Sequence, residues 1–97
     1  MFVVTLTYTA PIETIDELLA EHVEWLERHY AAGTVLASGR RVPRTGGVLL
    51  ARAADRAALD EVLAGDPFHR AGAATYEVVE FTPTKAAAGL AELIEQG

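Results

Sequence analysis

Phe2-Val3-Val4-Thr5-Leu6-Thr7-Tyr8-Thr9-Ala10-Pro11, running directly into a helix-spaced stretch that stops at Gly33, decides how this chain folds. Phe2, Val4, Leu6 and Tyr8 fall on one face and Val3, Thr5, Thr7 and Thr9 on the other, which is the period of a half-buried strand. Pro11 brings no N–H to a ladder and ends it. Thr14-Ile15-Asp16-Glu17 then reads as a capping box, with Thr14 at the N-cap and Glu17 reaching back. Wound at about 100° per residue, the helix divides cleanly. Ile15, Leu18, Leu19, His22, Val23, Trp25, Leu26, His29 and Tyr30 share one side, while Asp16, Glu17, Glu21, Glu24, Glu27 and Arg28 share the other.

Outward from that unit, the remaining elements follow in short order. Thr34–Ser38 is a short strand. The loop Gly39-Arg40-Arg41-Val42-Pro43-Arg44-Thr45-Gly46 leads to a second strand, Gly47–Arg52, apolar on both faces at Val48, Leu49 and Leu50 as a central strand is. Asp55 caps a second helix carrying Leu59, Val62 and Leu63, and Gly65 ends it. Asp66-Pro67 restarts a single turn, with aspartate at the N-cap and proline at the first helical position. Thr75–Thr82 is the last strand, closed by Pro83. The order β-α-β-β-α-β predicts an α+β, ferredoxin-like domain over residues 1–83: one antiparallel four-stranded sheet with two helices on one face. Residues 84–97 space Leu90, Leu93 and Ile94 as a helical extension, marginal unless it docks.

Composition removes whole classes of function. The 97 residues include no cysteine, so thiolate metal sites and cysteine nucleophiles are excluded. No stretch approaches the ~20 apolar residues of a membrane span, and a cytoplasmic protein is expected. The net charge of −6 argues against nucleic acid as a partner. Glu13–Glu27 holds six acids and no Lys or Arg, whereas Arg40, Arg41 and Arg44 make a local positive patch. Two helices cover only one face of the sheet, and the uncovered face, with Val3 and half of Val48–Ala51, predicts a two-fold homodimer packed sheet on sheet.

His22 is the residue the helical wheel singles out. It lies between Leu18 and Leu26, near the centre of the apolar stripe, and burying an unpartnered imidazole costs about 1–3 kcal/mol. It therefore either makes a structural hydrogen bond or lines a cavity where its proton chemistry is used. Asp66 is its candidate partner: an N-cap aspartate has a fixed backbone and a second oxygen to spare, although capping alone also explains it. A carboxylate against the imidazole fixes the tautomer and stabilises the imidazolium, as a general base requires. Tyr8 and Tyr76 are candidates for the same cavity, as hydrogen-bond donors or as plain core, and Ser38 is a further candidate for binding substrate. Arg44, just before Gly46-Gly47, is placed to hold an anionic substrate; Arg40 and Arg41 read as a solvated loop. His29 is about 10.5 Å along the helix from His22, too far for both to ligate one metal, and with no cysteine and no inward-facing carboxylate cluster no metal is expected. Trp25 and His29, at i and i+4, could contact a haem, but Trp25 reads first as a packing residue and no cofactor is expected. Gly46-Gly47 leads into a strand, not a helix, and is no phosphate loop.

Taken together, the helix bearing His22, Leu26 and Gly33, then Ser38-Gly39, Pro43-Arg44-Thr45-Gly46-Gly47, Asp66-Pro67-Phe68 and Glu80-Phe81-Thr82-Pro83, resemble the YCII-related (YciI-like) family over residues 1–83. The resemblance implies a ferredoxin-like subunit of a dimeric α/β barrel with a histidine–aspartate pair, which falls on His22 and Asp66. It also implies similarity to muconolactone-isomerase-like proteins, and hence proton abstraction, in an isomerisation or elimination, on a small acidic or aromatic molecule. The alternative is a non-catalytic dimer that binds a small ligand or a protein partner with the same fold.

Overall fold

The computed structural model describes residues 1–94 and contains four strands, three helices and one 3₁₀ turn. In chain order these are β1 (Phe2–Tyr8), α1 (Ile12–Ala31), β2 (Val35–Arg40), β3 (Gly46–Ala51), α2 (Arg56–Ala64), α3 (Pro67–Arg70) and β4 (Ala74–Glu80). The strands form one antiparallel sheet in the order β2-β3-β1-β4. This is the ferredoxin-like arrangement that the element order predicts.

Alternation along β1 fixes the core. Phe2, Val4 and Leu6 are buried on the helix side with Leu49 and Ala51 of β3, against Ile15 and Trp25 of α1, Leu59 and Leu63 of α2, and Phe68 of α3. Each fully buried Phe or Leu contributes about 1.5–3 kcal/mol of transfer free energy. The Trp25 indole N–H donates to the Val62 carbonyl at 3.1 Å and ties α1 to α2. On the other face Val3 is flanked by Leu50 and Val79 in the ladder, and Val79 is 62% exposed.

The ends of the elements show local chemistry at work. At the end of α1, Gly33 adopts φ +79°, with Gly33 N–H on Tyr30 O and Thr34 N–H on His29 O, both at 3.0 Å: a Schellman motif. Asp55 caps α2 by accepting from Ala58 N–H at 2.8 Å. The start of α1 departs from the expected capping box. Its N-cap is Pro11, whose carbonyl takes the N–H groups of Thr14 and Ile15, so Thr14 lies inside the first turn. The proline that cannot extend the strand still offers an acceptor where the strand ends, and the helix begins there.

Two further departures matter. β2 runs on to Arg40, which moves that arginine from the loop onto a strand. The helix expected in the tail does not form; residues 84–94 carry only the 3₁₀ turn Ala91–Leu93, and residues 95–97 lie outside the described residues. Gly89 at φ +89° interrupts the segment, and the tail is held by Arg52 donating to Glu92 O at 3.0 Å. A dozen residues without a continuous apolar stripe cannot offset helix nucleation. No helix is long and apolar enough to cross a membrane among the described residues.

Candidate functional site

The histidine that α1 turns inward meets the turn that opens α3. His22 is 9% exposed and Asp66 not at all. His22 Nδ1 lies 2.8 Å from Asp66 Oδ1, which also accepts the Phe68 N–H at 3.1 Å. Asp66 Oδ2 accepts the Tyr76 hydroxyl at 2.6 Å. A carboxylate only accepts, so with Asp66 ionised the contact to Oδ1 puts a proton on Nδ1 and leaves Nε2 of a neutral imidazole as the lone-pair nitrogen.

The Asp66-Pro67-Phe68 turn grips the ring twice. Asp66 holds its edge, and Phe68 stacks on its face with centroids 4.2 Å apart and planes 17° apart. Trp25 lies 5.6 Å from the same imidazole at 28°. An imidazole fixed by one hydrogen bond and flanking rings loses little further freedom when a ligand arrives.

His22 lines a cavity of about 170 Å³ between α1 and the sheet. Its walls are Leu6, Leu19, Val23, Leu26, Leu49 and Phe68, and its polar groups come from Tyr8, His22, Ser38 and Arg40. A dry cavity of about 150 Å³ accepts benzene, so the space suits one six-membered ring. Gly47 also lines it, opposite Leu6 in the ladder, where a Cβ would stand 3.0 Å from Gly39 O of the neighbouring strand. A wider outer hollow, of about 420 Å³, is bounded by Tyr8, Asp16, Leu19, Arg40 and Arg44.

The residues singled out in the sequence thus fall into three groups. His22, Tyr8 and Ser38 come together in the cavity. Tyr76 stands behind Asp66 and does not line it; its hydroxyl is committed to the carboxylate. Arg44 borders the outer hollow, not the cavity, and donates to Asp16 at 2.7 Å, a bond that raises its pKa. Arg41 donates to Thr7 Oγ1 at 3.1 Å, whereas Arg40, expected in a solvated loop, reaches both the cavity and the hollow. Sequence reasoning also missed Phe68 as a stacking partner and Tyr30, whose hydroxyl shares a 2.5 Å hydrogen bond with Ser38. Phe68 sits two residues from Asp66 in the same turn, a signal present in the sequence.

Burial, then the hydrogen bond to Asp66, pushes the Tyr76 phenol far above its usual range. The unfolded phenol loses its proton near pH 10, while the folded one keeps it. Stability from this group is therefore complete below about pH 10 and falls as pH rises beyond that. Tyr76→Phe is expected to flatten the alkaline limb of a stability–pH curve by one proton's slope; an identical limb in the variant would contradict this burial. Burial and the neighbouring Arg28 lower the pKa of His29, whose ring lies edge-on to Trp25 at 5.2 Å, outside the cavity lining.

Comparison with known proteins adds a family and a fold. A family model, the YCII-related domain, matches residues 1–82. No curated protein matches. Among solved structures, the chain is similar to 5-chloro-2-hydroxyhydroquinone dehydrochlorinase (TftG) from Burkholderia phenoliruptrix AC1100, in complex with 2,5-dihydroxybenzoquinone. The TM-score is 0.71 at 19% identity, over 84% of this chain and 94% of that one. At that identity the likeness speaks for the fold.

Proposed function

The chain belongs to the YCII-related domain family, and from that premise we propose that it is an enzyme that abstracts a proton from a small cyclic or aromatic molecule. His22 Nε2 is the general base, and Asp66 orients the imidazole and stabilises the imidazolium. Tyr76 and the Phe68 N–H hold Asp66 in turn. The observation that carries this reading is the 2.8 Å His22–Asp66 bond beside a ring-sized cavity. The cavity gives a ligand access to the His22 ring, which a general base needs and a structural pair does not.

Once the proton has moved, its electron pair either shifts along the ring, giving an isomer, or expels a leaving group, giving an elimination. The dehydrochlorinase activity of TftG, the loss of hydrogen and chloride, supports the second course for a chain of the same fold. The test is hydrogen exchange. In deuterated water the wild-type protein is expected to speed deuterium incorporation at the ring C–H positions of 2,5-dihydroxybenzoquinone, and His22→Gln to abolish that acceleration. A bound ligand whose ring protons exchange no faster than in buffer would remove the general-base role.

The proposal includes a homodimer. Val3, Leu50 and Val79 form an apolar row across the sheet face that carries no helix, with Val48 beside it 39% exposed. A second copy laid sheet on sheet would bury that row and close a dimeric α/β barrel. Sedimentation is expected to give twice the chain mass at micromolar concentration, and Val79→Lys to shift it toward one chain. A wild-type mass of one chain would exclude the dimer.

A further inference from the structure

The cavity has an unspent cation at its mouth. Tyr8, Leu19 and Arg40 border both the cavity and the outer hollow, so these three form the throat between them. Of the three arginines in this region, Arg41 is committed to Thr7 and Arg44 to Asp16. The Arg40 guanidinium has no hydrogen-bond or ion-pair partner among the described residues. Ser38 and Arg40 are two apart on β2, hence on one face of the strand, and both line the cavity.

We propose that Arg40 is the anion-recognition residue of this cavity, and that the ligand is a single-ring molecule carrying a carboxylate or similar oxyanion at the throat. This deepens the reading of the cavity as a substrate site and rests on it. The charge balance gives the reason. On a chain of net charge −6, with an acidic stripe along the same α1 that walls the cavity, an anion is repelled unless a local cation draws it in. A guanidinium is always protonated and presents a planar fork that matches a carboxylate. The Ser38 hydroxyl on the same face supplies a second polar contact. With its anion at Arg40, the ring lies among Leu19, Val23, Leu49 and Phe68, within the space that His22 borders.

The experiment is binding of benzoate and its neutral isostere benzamide, followed by calorimetry. The wild type is expected to bind benzoate at least about tenfold more tightly, as one hydrogen bond to a charged group allows. Arg40→Gln should remove that preference while leaving benzamide affinity within about twofold, and Arg40→Lys should retain part of it. Arg44→Gln should change benzoate affinity by less than about threefold, because Arg44 and Asp16 line the outer hollow and not the cavity, and both are exposed enough for solvent to screen their charges. Arg40 is exposed at the end of its strand, and a melting curve checks that each variant is folded. Benzoate affinity unchanged in Arg40→Gln, equal affinities for the two probes in the wild type, or no benzoate binding at millimolar concentration would each overturn the proposal. Failure of the base and failure of the anion site are distinguishable: in His22→Gln the benzoate preference should persist even as proton exchange is lost.

Discussion

Asp66→Asn is expected to lower turnover by about two orders of magnitude while leaving the fold and the hydrogen-bond pattern in place. Few carboxylates permit so clean a substitution. Oδ1 already accepts from His22 Nδ1 and from the Phe68 N–H, and an amide oxygen does both. Among the described residues Oδ2 accepts only the Tyr76 hydroxyl, and an amide N–H in its place donates to that hydroxyl instead. Every contact survives with one donor reversed; only the negative charge goes. On the proposed reading, His22 gains a proton in the transition state and then lacks the charge that stabilises it, so the cost falls on the chemical step. His22→Gln, which removes the proposed base, should cost about 10³-fold or more. Nitrogen-15 NMR separates cause from disruption: the Nδ1–H tautomer of His22 should persist in Asp66→Asn. If that variant turns over substrate as fast as the wild type, the carboxylate charge has no part in the reaction and the pair is structural.

The same bonds explain how much of the site was legible beforehand. His22 stands out because helical periodicity is a local property: an imidazole at the centre of an apolar stripe is visible without coordinates. Asp66 is visible as an N-cap next to Pro67, although a capping residue need not touch anything else. What joins the two is a packing of α1 against α3 across 44 residues of sequence, and no local pattern states it. Tyr76 shows the limit most plainly. Alternation in β4 puts it on the helix side with Val78, but whether it faces the cavity or the back of Asp66 depends on register against β1. Arg40 and Arg44 differ for a similar reason. One more pair of strand residues carries Arg40 to the throat, while Arg44 folds back to Asp16 on a helix far away in sequence. The fold itself was more legible than the site because it needs only periods and punctuation. The tail was not, since a run of alanines has helix propensity without anything to dock on.

Gly46→Ala is expected to destabilise the domain by about 3 kcal/mol or more, among the largest effects of any single-methyl addition. Gly46 is buried at the start of β3, paired with Thr7 of the central strand. A Cβ there would stand 1.7 Å from Leu6 O, 2.7 Å from Leu6 C and 3.1 Å from Thr7 Cα. All three are backbone atoms, so no rotamer change relieves the clash; β1 and β3 must separate. β1 also pairs with β4 along its length, so moving it disturbs both ladders. Gly39→Ala is the control, since a Cβ there meets nothing within 4 Å, and it should shift stability by no more than about 0.5 kcal/mol. Denaturant midpoints of the two variants decide the matter, and equal midpoints would refute the close approach of the strands. The consequence reaches the site, because Leu6 and Tyr8 of β1 and Gly47 and Leu49 of β3 line the cavity beside His22. A strand displaced to make room for one methyl group would widen that cavity, so whatever Gly46→Ala protein remains folded should also bind benzoate more weakly than the wild type.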